Sequence, residues 1–278
     1  MKHLLLGTAA LATLCLTLPA FAADMPARYA KAPPVAVSPA YNWSGFYVGV
    51  HAGYTFGEDE SIVTTGQATG NIANVLGGAR PGLVRVDRDG FIGGGQAGYN
   101  WQFSPNLVFG VEADISYVDS RRTNNIVTAS LPTAIPPNVP LNNTFRTGME
   151  YFGTVRGRIG YAWDRTMIFA TGGLAYAEVE NSAVLLGPAN QIQFAGGGRR
   201  METGYTVGGG IEHALTPNWS VKAEYLYYDL GSTTANVAFV PGGGGGGTGY
   251  NTRFENDGHI VRAGLNYKFG GGPLMARY

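Results

Sequence analysis

Glu112 and Asp114, Arg156 and Arg158, and Lys222 and Glu224 form three pairs of charged residues, each pair two positions apart. Glu212, Arg262 and Lys268 are single charges beside apolar residues. In an extended chain a spacing of two places both members of a pair on one face. Carboxylates and cations gathered on one face have two uses. They line a path for ions, or they pair with one another and fill the space between them.

Other chemistry finds less support. A hydrolase needs a nucleophile and a base within hydrogen-bond reach. The histidines His51, His213 and His259 lie far apart in sequence. On the strand pattern below, His51 sits on a polar face and the other two at opposite ends, so they do not cluster and no enzyme is read here. No pair of ligand-type residues has a spacing suited to a metal, and no cofactor is expected. The glycine run 242–247 follows Pro241 with no helix after it, which fits a flexible loop tip and not a phosphate cradle. The clusters Glu58-Asp59-Glu60 and Asp87-Arg88-Asp89 read as solvated loop charges.

The elements that position these residues are strands. In the closing stretch 259–269, Val261, Ala263, Leu265, Tyr267 and Phe269 alternate with Arg262, Gly264, Asn266 and Lys268. A period of two separates the two sets onto opposite faces. Seven earlier segments follow the same rule: 45–56, 90–103, 107–117, 150–163, 166–177, 203–213 and 219–228. Their apolar faces carry, among others, Phe46, Val50, Tyr99, Trp101, Val111, Ile115, Ile159, Leu174, Val207, Val221 and Tyr225. No helical period of useful length is present.

The connections alternate in length. Ser104-Pro105-Asn106, Asp164-Arg165 and Leu215-Thr216-Pro217-Asn218 are tight turns. The other four, 57–89, 118–149, 178–201 and 229–258, are long, polar and rich in Pro and Gly. Short turns at one end and long loops at the other match the two rims of an outer-membrane barrel.

Composition agrees. The chain has 278 residues with 43 Gly, 16 Tyr and 13 Phe, only 14% charged residues and a net charge of zero, which does not support a basic surface for nucleic acid. Residues 1–22 have the form of a cleaved export signal: Lys2, an apolar core, then Ala20-Phe21-Ala22. The single cysteine, Cys15, lies within it, which leaves the mature chain without thiol chemistry. Residues 23–42 form a Pro-rich periplasmic linker, and 43–278 the barrel. No later apolar run is long enough for a membrane helix, so a membrane would be crossed by strands.

Alternation alone also allows a soluble barrel with its apolar face inward. Three features favour lipid outside. The polar face is rich in glycine (Gly49, Gly53, Gly94, Gly98, Gly110, Gly208, Gly210, Gly264), which suits a crowded interior. Aromatic residues gather near the short turns as a girdle. The export signal and the aromatic-ended last strand agree.

The segments Trp43-Ser44-Gly45-Phe46-Tyr47-Val48-Gly49, Gly90-Phe91-Ile92-Gly93-Gly94-Gly95-Gln96-Ala97-Gly98-Tyr99-Asn100-Trp101-Gln102 and Ala170-Thr171-Gly172-Gly173-Leu174-Ala175-Tyr176, with the closing strand, resemble the alphaproteobacterial eight-stranded outer-membrane surface proteins of the porin-family or outer-membrane immunogenic type. The chain departs from the usual pattern in running on past Phe269 to Tyr278. The resemblance implies an all-β, eight-stranded antiparallel up-and-down transmembrane barrel that is exposed at the surface and supports the envelope. For some such proteins haem binding or weak pore activity has been proposed, so a narrow porin-like diffusion channel, or loop-mediated haem or host-ligand binding, is the alternative for this chain. Expected partners are outer-membrane lipid and lipopolysaccharide, the barrel-assembly machinery that would read Val261, Leu265, Tyr267 and Phe269, and peptidoglycan or a surface ligand. In so narrow a barrel the interior charges Glu112, Asp114, Arg156, Arg158, Glu212, Lys222, Glu224, Arg262 and Lys268 are expected to pair as a plug. A gated ion path is the alternative.

Overall fold

The computed structural model describes residues 41–57, 60–86, 88–134, 136–244 and 248–270. Residues 1–40, where the export signal and most of the linker are expected, Glu58, Asp59, Asp87, Ile135, Gly245 to Gly247 and the residues after Gly270 lie outside them.

Eight strands close into a ring: β1 (Gly45–Phe56), β4 (Gly90–Gln102), β5 (Leu107–Asp119), β7 (Pro140–Trp163), β8 (Thr166–Leu186), β9 (Ile192–Ala214), β10 (Trp219–Phe239) and β11 (Gly249–Lys268). Every neighbour is antiparallel, and β11 pairs back onto β1 from Tyr47↔Lys268 to Phe56↔His259. Closure leaves no free edge in the ring, so all backbone groups at membrane depth find partners within the sheet. Three short strands lie outside the ring order. β2 (Glu60–Gly66) adds to the outer part of β11, β3 (Leu83–Val86) adds to β2, and β6 (Arg122–Ala129) adds to β7.

The short turns lie where the sequence places them. Phe103 N–H bonds to the Leu107 carbonyl at 2.9 Å, and Leu215 N–H to the Trp219 carbonyl at 2.9 Å. Asp164, in the turn between β7 and β8, has φ +53°, a left-handed conformation that Asp tolerates better than most residues.

The lipid face is apolar in every ring strand. Val50, Val111, Val155, Leu174, Val207 and Val261 all point outward and are exposed. Aromatic residues bound this face at both levels. Near the short turns, Tyr99 and Trp101, Tyr161 and Trp163, and Trp219 and Tyr267 pack in pairs 4.6 to 6.3 Å apart. Toward the other end, Tyr117 meets Tyr151 at 6.3 Å, Tyr205 meets Tyr227 at 6.3 Å, and His259 lies 5.3 Å from Tyr227 and 5.5 Å from Phe56.

The long connections require a correction. They are mostly not loops. β7 has 24 residues and β9 has 23, whereas crossing a bilayer needs about 9–11. The strands run on past the outer aromatic level, and loop 178–201 reduces to the turn 187–191 between β8 and β9. Loop 57–89 contains one helix, α1 (Thr69–Leu76), which the periodicity did not reveal because it has only eight residues.

Inside, apolar and polar layers alternate. Trp43, Val108, Ala162, Met167, Phe169 and Ala214 close the short-turn end. A charged layer follows. Beyond it lie Ile92, Phe152, Leu226, Tyr228 and Ile260, then a polar belt in which Thr147 donates to Asn181 (2.9 Å) and Asn181 to Asn256 (3.0 Å). Phe145, Leu185, Phe194, Val237, Tyr250 and Phe254 form the outermost apolar layer.

Candidate functional site

The charged layer is built from positions on five ring strands. Glu112 and Asp114 come from β5, Arg156 and Arg158 from β7, Glu212 from β9, Lys222 and Glu224 from β10, and Arg262 from β11. All eight are buried. They are brought together, and each carboxylate meets at least one cation.

Arg156, with a side chain 0% exposed, joins three carboxylates: Glu112 at 2.5 Å, Asp114 at 3.1 Å and Glu224 at 2.7 Å. Arg262 bonds Asp114 at 3.1 Å and Glu224 at 2.7 Å. Lys222 donates to Glu112 at 2.9 Å and to the Gln96 amide oxygen at 3.0 Å. Arg158 bonds Glu212 at 2.7 Å, and its guanidinium lies 4.3 Å from the Phe169 ring centroid. Four carboxylates thus face four cations, and the set is neutral.

Neutral groups add to the bonding, although the buried Arg158 Nε has no partner among the described residues. Tyr47 donates to Glu112 at 2.7 Å, Thr154 to Asp114 at 2.5 Å, and Ser220 and Asn266 to Glu212 at 2.6 and 2.9 Å. Sequence reasoning missed these partners. The available signal was parity: Tyr47, Gln96, Thr154, Ser220 and Asn266 each fall on the face opposite the lipid-facing residues of their strand. Tyr47 is hidden by being aromatic between Phe46 and Val48.

Space around the layer is small. A Cβ at Gly98 would stand 2.5 Å from the Tyr47 hydroxyl, and one at Gly110 3.0 Å from the Arg158 Cγ. These glycines let the bulky charged side chains lie across the barrel.

Lys268 does not join the network. It lies at the short-turn end, where its ammonium donates to the Asn42 carbonyl and stands 4.1 Å from the Tyr41 ring centroid. Among the described residues no carboxylate is within ion-pair distance of it. The reason is height: Lys268 pairs with Tyr47 in the β1 register, six residues along β11 from Arg262.

His51 is buried, and its Nε2 lies 2.8 Å from the Ser116 hydroxyl and 3.3 Å from an Arg262 N–H. The arginine can only donate, so Nε2 accepts and the proton sits on Nδ1. Nδ1 has no hydrogen-bond partner among the described residues. The serine–histidine contact therefore lacks the third group that orients a catalytic base, and both residues are sealed from solvent. His213 bonds Thr166 at the short-turn end and His259 bonds Tyr225 at the outer level, so the three histidines stay apart.

The remaining candidates divide. Val261, Leu265 and Phe269 are exposed on the lipid face, with Phe269 stacked on Phe46 at 5.6 Å and Tyr267 packed between Trp219 and Phe269. Arg88, expected to be solvated, is buried and donates to the Glu255 carbonyl at 3.0 Å. The β2–β3 hairpin folds onto β11 and carries it inward.

Comparison with known proteins bears on this arrangement. The family model for the outer membrane protein β-barrel domain matches residues 8–269. A 31 kDa outer-membrane immunogenic protein of Brucella melitensis is 35% identical over 253 residues, covering 90% of this chain and 93% of the relative. A 25 kDa outer-membrane immunogenic protein of Brucella abortus is 26% identical over 270 residues, covering 97% and 99%. Among solved structures, the outer membrane protein OprG of Pseudomonas aeruginosa aligns with a TM-score of 0.49 at 12% identity, covering 82% of this chain and 98% of that one.

Proposed function

Because the chain belongs to the outer membrane protein β-barrel family, we propose that this outer-membrane surface protein is a non-conducting, non-enzymatic barrel that reinforces the envelope and interacts through its outer end. The neutral, buried network of Glu112, Asp114, Glu212 and Glu224 with Arg156, Arg158, Lys222 and Arg262 carries the reading. An eight-stranded barrel has room inside only for side chains. Here that room is taken by charges that satisfy one another, between apolar layers on both sides. An ion entering this layer would have to break pairs that lie away from water.

In this reading the outward apolar belt and its aromatic girdles contact lipid and lipopolysaccharide. The closing strand offers Val261, Leu265, Tyr267 and Phe269 to the barrel-assembly machinery, and the extended outer strands meet a surface ligand. Planar-bilayer recording tests the interior. The purified, folded chain is expected to give no steady conductance. Reproducible single-channel steps would replace this reading with that of a narrow diffusion pore.

A further inference from the structure

At the outer end a cavity of about 380 Å³ is lined by residues from all four long connections, among them Arg80, Leu131, Ala134, Gln191, Gln193 and Gly244. Its size falls within the ordinary range for small-molecule sites. Exposed Pro136, Pro188 and Ala189 line it toward solvent, while Arg80, 3% exposed, lies in its wall.

Arg80 differs from the cations of the barrel interior. Its guanidinium donates to the Asn143 amide oxygen at 2.8 Å and to the Gln193 amide oxygen at 2.7 Å. Those partners are neutral, as is the Tyr250 hydroxyl that also interacts with it. Among the described residues no carboxylate pairs with Arg80. Each of the four network cations, by contrast, has a carboxylate within 3 Å. Burial pulls the Arg80 pKa below its ordinary value, with Tyr250 opposing, yet an arginine stays charged. A buried cation held by neutral acceptors keeps a net positive charge, and its planar fork matches a carboxylate or phosphate.

We propose that this cavity binds a small organic anion, whose single carboxylate or phosphate pairs with Arg80 while a compact hydroxylated body lies against the amides of Gln191 and Gln193. Aliphatic walls at Leu131 and Ala134 exclude water from the pair and raise its worth. The anion arrives either free or as the end group of a surface glycan, and the chemistry at Arg80 is common to both. The inference rests on the reading that the outer end carries this protein's interactions.

The test is ligand-observed NMR on the full folded chain in detergent micelles. The probes are glucose 6-phosphate, glucuronate, a glucuronate-ended oligosaccharide and uncharged glucose. Saturable binding of either free anion, weakening with added salt, is the expected result. Binding of the oligosaccharide alone supports the site and assigns the glycan as its source. Arg80→Gln should weaken binding at least about tenfold. Because that change also removes the two bonds that tie this segment to β7 and β9, Ala134→Trp provides a second variant that fills the cavity and leaves Arg80 in place. It should abolish binding. Glucose binding as well as the anions, parent-like binding by both variants, or no binding by any anion would overturn the proposal. Each sample is also run unboiled and boiled on a denaturing gel. A parent whose mobility shifts on heating but which binds nothing defeats the site alone. A parent with no shift counts against the barrel reading itself.

Discussion

Replacing Arg156 by Ala should destabilise the barrel by roughly 3–5 kcal/mol, the usual cost of removing one partner from a buried ion pair. The structure explains why the upper part of that range applies. The side chain is 0% exposed and meets Glu112, Asp114 and Glu224, all within 3.1 Å. Without it four carboxylates face three cations. Arg262 already engages Asp114 and Glu224, and Lys222 engages Glu112, so no cation is spare to take over. Urea unfolding in detergent micelles, followed by gel mobility and circular dichroism, measures the loss. A double variant separates charge from packing. Arg156→Ala with Glu112→Gln returns the count to three against three, and the new amide oxygen still accepts from Lys222 and Tyr47. It should recover at least half of the loss. A single-variant loss below about 1 kcal/mol would refute the argument, because no buried pair would then have been broken. So would a double variant no more stable than the single, since the imbalance of charge would not be the cause.

Two further outcomes follow from the same geometry. Val111→Arg, on the lipid face near the middle of β5, should cost roughly 2–4 kcal/mol and impair insertion, while Leu76→Arg on α1, equally apolar to charged but beyond the outer aromatic level, should insert like the parent in a liposome-folding assay; equal behaviour would mean the lipid face is wrongly assigned. Gly98→Ala forces a methyl to 2.5 Å from the Tyr47 hydroxyl and should lower stability by about 1–3 kcal/mol in the same urea titration, whereas Gly157→Ala, whose Cβ would meet nothing nearer than 4.0 Å, should change it little.

The membrane-embedded part of the fold was legible because lipid enforces one rule without exception. Along Phe109, Val111, Ile115 and Tyr117 every outward residue is apolar, so the period of two shows plainly. The charged residues were legible as a set for the same reason, since the opposite parity had to hold them. Their pairing was not. Whether Arg156 meets Glu112 or Glu224 depends on the relative heights of β5, β7 and β10 across the barrel. That is a property of closure and stagger, and no single strand records it. Lys268 shows the limit: it has the right parity but the wrong height. Arg80 gave no signal at all, because its isolation appears only when four distant connections meet.

The outer half of the strands was misread as loops for a physical reason. Beyond the bilayer, water replaces lipid, and the burial rule reverses. On β8 the outward apolar residues are Ile168 and Leu174, yet Val179, Ala183 and Leu185, of the opposite parity, are buried inside. On β11 Val261 and Leu265 face lipid, while Tyr250, Phe254 and Ile260 face inward. On β7 the parity does not change but the chain does: the register shifts between Met149 and Tyr151, a bulge that turns Phe145 and Met149 inward while Tyr151 and Val155 face out. A single-phase reading along any of these strands therefore stops at the reversal. The reversal itself has a location. On neighbouring strands it falls beside Tyr151, Tyr176, Tyr205, Tyr227 and His259, the outer aromatic level. Amphipathic rings favour the zone where lipid gives way to water, and that is also the zone where apolar side chains lose their reason to point outward. From Phe109 to Tyr117 on β5 the two aromatic levels are separated by the length of strand that spans a bilayer. The girdle and the phase reversal are thus two readings of one boundary, and everything past it is built by the rules of a water-soluble barrel.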